Sequence, residues 1–372
     1  MKLLVIADDF TGAMDTGVQF SGWQISTLVT AKLVTDTDVV VVDTGTRHAS
    51  ARDSYQKVYE LVSEAKKQGF THFYKKVDST LRGNIGAEIA ALMDATGCKE
   101  MPLLPAYPEN GRITVGGIQY VDGISLDKSP SARDPFEPIR KSRVMDIVRE
   151  QCAREGIVVY DASTDEDLIR TAQTIDLHIV SGCAGLAKHL PQILNLKKLT
   201  ESRPVIFPEE FVVISGSIHP QTLEQLQYAK ERGFQLYVLN EAQKTGGRNA
   251  TTPPYSKRMI VAAANQEENI VAPDGDQIRQ HIASVLGKIA ADYAHQNKTL
   301  IIFGGDTFRE VVDQLGCCKI RPLRELLPGI VLSQSVDGKY TFVSKSGGFG
   351  NRDVLIQIEK SLQDINRLSL NR

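Results

Sequence analysis

The chain has 372 residues, with 43 Lys and Arg against 45 Asp and Glu and a formal net charge of -2, so the basic excess that marks nucleic-acid binders is missing and a small-molecule partner is expected. No apolar run approaches the ~20 residues of a membrane span, and the apolar start of MKLLVIADDFTG breaks at Asp8 before signal-peptide length, which predicts a soluble, cytoplasmic protein with no membrane partner. The length allows two domains, each able to bury its own core, and the five cysteines contain no C-x-x-C pair, so neither a disulfide framework nor a zinc site is indicated.

Short apolar runs alternate with amphipathic ones, the pattern of parallel sheets covered by helices. The predicted fold class is therefore α/β, with two domains, each a largely parallel sheet flanked by helices. In the first half, strands are predicted over residues 3–7, 25–29, 39–42, 72–76, 102–105, 157–160 and 178–180. Helical spacing fills residues 51–67, with Tyr55, Val58, Tyr59 and Val62 on one face, and resumes after Asn84 with Ile85, Ile89 and Leu92. The glycine-rich extended pieces between Gly111 and Asp134 predict a hairpin excursion from the main sheet. Residues 190–208 have prolines near both ends and no strong period, which sets the domain boundary and gives domains 1–205 and 206–372. A second α/β series follows, with strands over 211–215, 236–239, 259–263 and 299–303, helices over 222–232 and 274–295, and a polar mobile loop at 240–257.

Four stretches carry the chemistry. LLVIADDFTG, at 3–12, runs an apolar strand into two carboxylates, Asp8 and Asp9. One of them could simply cap the next helix; two in succession at the carboxyl end of a first strand sit where open α/β sheets place ligands. FYKKVDSTLRGNIGAE, at 73–88, gathers Lys75, Lys76, Asp78, Ser79, Thr80 and Arg82 after another strand, and VVDTGTRHAS repeats the theme with Asp43, Thr44 and Arg47. Such a mixture is either a solvated loop with internal salt bridges or a pocket for an anionic, hydroxyl-rich ligand. In the second half, VVISGSIHPQT, LIIFGGDTFREVV and YTFVSKSGGFGNRDVL each place a glycine turn between a strand and a helix, the arrangement that aims backbone N–H groups at phosphate. Neither G-x-x-x-x-G-K-[ST] nor G-x-G-x-x-G occurs in these turns. Cys183 reads as a buried thiol rather than a nucleophile. The histidines show no metal-ligand grouping, and His219 is explained as well by helix capping as by a ligand.

ADDFTGAMD, KKVDSTLRGNIGAE, PAYPENGRITVGGIQYVDG, GGDT and KSGGFG, in this order from Ala7 to Gly350, resemble the motifs of the four-carbon acid sugar kinases. The resemblance implies ATP-dependent phosphorylation of threonate, erythronate or a 3-oxo-tetronate, with an N-terminal sugar-acid domain and a C-terminal nucleotide domain. It implies substrate contacts from Asp8, Asp9, Arg47, Lys76, Asp78 and Ser79, and nucleotide contacts from Ser217, Gly304, Gly305, Asp306, Thr307, Gly347 and Gly348. The turn SGSIHPQT departs from the family pattern at Ile218 and His219. ATP and Mg²⁺ are the expected cofactors, with no dedicated metal site; Mg²⁺ is expected to bridge phosphate oxygens. Arg47 and Lys76 are expected to pair with the substrate carboxylate, and Asp78, Asp306 or Asp9 to act as catalytic carboxylate, Asp306 serving either metal or acceptor proton. Closure around residues 190–208 is expected to exclude water. The alternatives are a nicotinamide-dependent dehydrogenase of sugar acids and a non-catalytic sugar-acid sensor. A homodimer is expected, although the sequence does not fix oligomeric state.

Overall fold

Five consecutive apolar residues form β1 (Leu3–Ala7), and all five are buried, as a strand covered on both faces of a parallel sheet requires. The chain divides into two units, Met1–Thr200 and Glu201–Arg372. The computed structural model describes all residues except 134–137, 200–205, 246–250, 266–274, 347 and 371–372.

In the first unit β1 is followed by α1 (Phe10–Ser21), β2 (Thr27–Thr30), β3 (Val39–Asp43), α2 (Ala51–Lys67), β4 (His72–Lys76), α3 (Ile85–Thr96) and β5 (Met101–Leu104). The strands β6 (Arg112–Val115), β7 (Ile118–Val121) and β8 (Ile124–Ser125) come next, then α4 (Val144–Arg149), β9 (Ile157–Val159), α5 (Asp165–Ala172), β10 (Ile179–Gly182), α6 (Ala184–Ala187) and α7 (Leu190–Ile193). The sheet runs β2-β3-β1-β4-β10-β5-β9, with every described pairing among these strands parallel. The expected hairpin excursion is a separate antiparallel sheet of β6, β7 and β8. Its turns rest on glycines with positive φ, among them Gly116 and Gly117.

From β1 the chain crosses to β2 and β3 on one side and then to β4 on the other. The carboxyl ends of β3, β1 and β4 therefore surround a topological switch point, the place where such sheets bind ligands. The helix α2 begins at Ser50, whose hydroxyl accepts the Asp53 N–H, and it ends in Lys66 and Lys67, which suit the negative end of the helix dipole. Its buried stripe runs through Ser54, Val58, Val62 and Ala65, with Tyr55 only partly covered and Tyr59 exposed. This is one step around the helix from the expected face, because the long Tyr side chains reach past the edge of the packing. Val58 and Val62 join Leu4, Ile6, Ile89 and Leu92 in one core.

The second unit contains β11 (Phe211–Ser215), α8 (Pro220–Lys230), β12 (Gln235–Val238), α9 (Glu241–Lys244), β13 (Met259–Ala262), α10 (Gly275–His295), β14 (Thr299–Phe303) and α11 (Gly305–Gln314). It ends with β15 (Lys319–Leu327), β16 (Ile330–Ser335), β17 (Thr341–Lys345) and α12 (Val354–Leu370). Its strands are ordered β12-β13-β11-β14-β17-β16-β15. The first five are parallel, while β16 runs antiparallel to β17 and β15 antiparallel to β16. The switch point here lies between β11 and β14. Asn240, the start of the expected mobile loop, instead opens α9 through a capping box with Gln243; residues 246–250 of that loop lie outside the described residues.

Candidate functional site

Asp8 and Asp9 leave the sheet at the end of β1. Asp9 is the N-cap of α1, accepting the Gly12 N–H at 3.0 Å on Oδ1 and the Thr11 hydroxyl at 2.5 Å on Oδ2. The same Oδ1 also accepts Arg47 Nη2 at 2.8 Å, so the helix cap and the charged cluster share one carboxylate. Arg47 reaches Asp8 with both arms of its fork, through Nε to Oδ2 and through Nη2 to Oδ1 at 2.9 Å. Its Nη1 lies 3.7 Å from Asp78 Oδ1. Asp78 in turn accepts Arg82 at 2.9 and 3.2 Å and the Thr80 hydroxyl at 2.5 Å. Gly83 has φ +87, and a Cβ there would stand 2.8 Å from Asp8 Oδ2 and 3.1 Å from Arg47 Cδ. Both conformation and space therefore require glycine where the loop passes the ion pair.

The cluster is buried, and charge balance decides its protonation. Burial would raise the Asp78 carboxyl, but Arg82 and Arg47 beside it, with Lys76, hold it well below the usual carboxylate range. Burial acts on Asp8 in the same sense and is again outweighed, chiefly by Arg47, so its carboxyl is lowered. Arg47 itself is raised well above its ordinary value, because Asp8, Asp9 and Asp78 outweigh the penalty of burial.

The adjacent lysines of β4 point to opposite faces, as strand alternation dictates. Lys75 is structural: its ammonium donates to Glu88 Oε2 at 2.6 Å, to Lys76 O at 2.6 Å and to Ile6 O at 3.2 Å. The Thr46 hydroxyl donates to Glu88 Oε1 at 2.5 Å, and burial nonetheless raises the Glu88 carboxyl. Lys76 is 4% exposed, and the one hydrogen bond of its ammonium among the described residues goes to Val77 O at 2.8 Å. Its ammonium sits near Asp9, since a Cβ on Gly12 would lie 3.3 Å from it. The Ser79 hydroxyl has no hydrogen-bond partner among the described residues. Cys183 donates its thiol to Ala106 O at 3.0 Å, and burial pushes it up to about 12, which removes it as a nucleophile.

In the second unit the three glycine turns converge. A Cβ on Gly216 would fall 2.0 Å from Thr307 Oγ1, one on Gly304 would lie 3.6 Å from Ser217 N, and one on Gly348 would lie 3.6 Å from His219 Nε2. Gly304 has φ +111 and is the N-cap of α11, so it offers no side chain to the first-turn N–H groups of that helix. Such uncapped N–H groups at a helix start are suited to phosphate. His219 is the N-cap of α8, its Nδ1 accepting the Gln221 N–H at 3.2 Å. The Ser217 hydroxyl accepts the His219 N–H at 3.3 Å and donates to Thr222 Oγ1 at 3.2 Å. Asp306, with its side chain half exposed, has Oδ2 3.3 Å from Arg279 Nη1 of α10.

The six residues expected to contact substrate, Asp8, Asp9, Arg47, Lys76, Asp78 and Ser79, lie together at the switch point of the first unit. Ser217, Gly304, Gly305, Asp306, Thr307 and Gly348 lie together in the second, while Gly347 falls outside the described residues. Of the three expected catalytic carboxylates, Asp9 and Asp78 belong to the first cluster and Asp306 to the second. Arg47, expected to pair with the substrate carboxylate, here faces the carboxylates of Asp8, Asp9 and Asp78. Three contributors were not assigned from the sequence. Arg279 lies in an amphipathic helix with nothing to single it out. Gln225 donates to the carbonyls of Phe349, Gly350 and Asn351 at 3.0, 2.8 and 3.1 Å and ties the last turn to α8; its signal was a glutamine one helical turn after Gln221. Lys345 was visible as a charge closing an apolar strand. Among the described residues no group of three or more His, Cys, Asp or Glu side chains is gathered for a metal ion.

Glycine turns suited to phosphate in one unit and a carboxylate–guanidinium cluster in the other fit a two-domain phosphotransferase. Residues 3–157 match a sugar-binding N-terminal domain and residues 212–355 a nucleotide-binding C-terminal domain. The chain belongs to the four-carbon acid sugar kinase family, which is built from this pair of domains. A D-threonate kinase of Salmonella typhimurium LT2 is 29% identical over 416 residues, covering 95% of this chain and 97% of that protein. A 3-oxo-tetronate kinase of Haemophilus influenzae is 26% identical over 405 residues, covering 94% and 97%. A crystal structure from Salmonella typhimurium LT2 shares the fold with a TM-score of 0.77 at 23% identity, over 96% of this chain and 98% of that one.

Proposed function

We propose that this protein transfers the γ-phosphoryl group of ATP to the terminal 4-hydroxyl of a four-carbon sugar acid, threonate, erythronate or a 3-oxo-tetronate, giving a 4-phosphate. The observation that carries the reading is the state of the first cluster. Arg47 holds Asp8 as an ionised acceptor and fixes Asp9 in place, while Lys76 and the Ser79 hydroxyl keep bonding capacity for a ligand. Fixed carboxylate oxygens accept from polyol hydroxyls, and a buried ammonium donates to the acid group.

Phosphoryl transfer asks the protein for alignment and charge neutralisation more than for covalent chemistry. In this reading Lys76 pairs with the substrate carboxylate, and Arg47 fixes the carboxylates that orient the hydroxyls. Asp78, held ionised by Arg82 and Arg47, is too weak a base to take a hydroxyl proton and serves to orient it. Asp9, whose Oδ2 accepts only the Thr11 hydroxyl among the described residues, is the carboxylate assigned to that proton. The turns at 216–219 and 304–307, with Gly348, cradle the ATP phosphates through backbone N–H groups. Mg²⁺ bound to the phosphates would neutralise their oxygens, and Asp306, half exposed at the start of α11, is the side chain suited to hold it. A nicotinamide dehydrogenase is disfavoured by the missing dinucleotide fingerprint, and a sensor would need no phosphate turns.

The test is ATP consumption with Mg²⁺ across D- and L-threonate, D- and L-erythronate and the 3-oxo-tetronates, each against a no-substrate control. Turnover with one acid and not its epimers is the expected result, because discrimination rests on hydroxyl acceptors at fixed positions. Nucleotide binding without turnover on any of the acids would discard the acid-sugar assignment.

A further inference from the structure

We propose that Lys345 is the buried cation that receives the nucleotide phosphates gathered by the three glycine turns. The inference rests on the nucleotide assignment above and adds a residue to that site. Lys345 ends β17 and is fully buried. In the parallel register it stands beside Phe303, the residue ahead of Gly304, so its side chain leaves the sheet where the GGDT turn begins. Its ammonium touches the supports of all three turns. It donates to Ser346 O at 2.9 Å in the third turn and to Thr222 Oγ1 at 3.4 Å in α8. It also lies 4.6 Å from the ring centre of Phe303. Because Thr222 Oγ1 also accepts the Ser217 hydroxyl, the lysine is one hydroxyl removed from the first turn as well.

A buried site with a carbonyl, a hydroxyl and a ring face among its described contacts solvates an ammonium less well than water does, whereas a polyphosphate beside it would compensate its charge. Burial accordingly pushes the Lys345 ammonium down to about 7. A phosphate entering the site would favour the charged form, so nucleotide binding would draw in a proton near neutral pH. The described groups at the ammonium, Phe303 of β14, Thr222 of α8 and the Ser346 carbonyl of the third turn, do not titrate between about pH 5 and 9, and its register partner on β16 is Ile330. The titratable side chains on the bordering turns are His219, ahead of α8, and Asp306 of α11, which Arg279 of α10 approaches at 3.3 Å. A lysine here burdens the empty fold; an apolar side chain of similar length would not.

The experiment compares the full chain with Lys345→Met and Lys345→Arg by calorimetric titration of MgADP and of adenosine, at about pH 6 and about pH 8.5, either side of the lowered value. Thermal unfolding of each ligand-free protein is measured alongside. Lys345→Met is expected to weaken MgADP by about tenfold or more at the lower pH, to leave adenosine unchanged, and to flatten the pH dependence. Its ligand-free melting point should equal or exceed that of the unaltered protein. Equal MgADP affinity, or equal weakening of MgADP and adenosine, would overturn the proposal, since a structural role would move both ligands together. If Lys345→Met does not fold, proton uptake by the unaltered protein, read from titrations in two buffers of different ionisation enthalpy, decides, and no uptake overturns it. MgADP binding with this signature but no phosphorylation of any four-carbon acid would retire the proposed substrate and leave Lys345 its role. Turnover on an acid with Lys345→Met unaffected would do the reverse.

Discussion

At the scale of single residues the decisive feature is one guanidinium shared among Asp8, Asp9 and Asp78. Arg47 is 9% exposed, so its loss would leave buried carboxylates without their main counter-charge. Arg47→Met is therefore expected to destabilise the protein by about 3 kcal/mol at neutral pH, in the range for a broken buried ion pair. The pH dependence fixes the sign. Asp8 and Asp78 have folded-state values below their ordinary one, so the stability they contribute is present above the unfolded value and is lost as pH falls through the folded value. In the variant that depression disappears. The deficit should be largest above about pH 4 and shrink below it, once the carboxylates are protonated in both states. Urea midpoints measured from neutral to acid pH would check this, and a deficit unchanged into acid would contradict it. The sequence displayed every member of the cluster, because charged residues at strand ends are conspicuous. It did not display their pairing: whether Arg47 meets Asp8 or a ligand depends on a loop crossing at Gly83 that periodicity does not encode. The Lys75–Glu88 pair was equally hidden, although a lone Glu in the apolar helix IGAEIAALMDAT was its trace.

At the scale of elements, the strand–turn–helix units of the second half were legible because each strand is apolar, each turn is glycine and each helix is amphipathic. The hairpin of β15 and β16 was not. KIRPLRELL carries Pro322, Arg321, Arg324 and Glu325, and its register shifts between Pro322 and Arg324 and again between Glu325 and Leu327, so strict alternation is lost. What the turns require of each other could not be read from sequence, since the contact of Gly216 with Thr307 joins residues far apart in the chain. Thr307 is buried and β-branched, so its hydroxyl has little room to rotate away from a new Cβ at 2.0 Å. Gly216→Ala is expected to cost about 1–3 kcal/mol of stability by overpacking and to weaken MgADP binding by displacing the α11 turn. Adding Thr307→Ala should recover part of the lost stability, because it removes the atom that the new methyl meets. A double-mutant cycle read by urea unfolding tests this, and simple additivity would show that the two turns do not press on each other.

At the scale of the whole chain, a protein of formal charge -2 is assigned two anionic ligands, so attraction must be local rather than global. Under the proposed assignments each unit would meet the demand in the same way. In the first, β4 lies beside β1 and ends in Lys76; in the second, β17 lies beside β14 and ends in Lys345; both lysines are buried. A buried strand that closes on a lysine can carry a cation to the end of the sheet, where screening by salt is weak. The two-part organisation was legible from the change of period around residues 190–208, but this shared device was not, because burial of a terminal lysine depends on which strands become neighbours. If each unit is a binding module for its own anion, hydrogen exchange on the full chain should separate them. Threonate, or whichever acid is turned over, should slow exchange of amides in 8–12, 45–49 and 77–83, and MgADP should slow those in 216–219, 304–308 and 348–351. Since in-line transfer needs both ligands in one water-poor site, the pair together should give more protection than the sum of the two alone. Protection by MgADP confined to the first set of amides would reverse the assignment of the units, and strictly additive protection would argue against closure during the reaction.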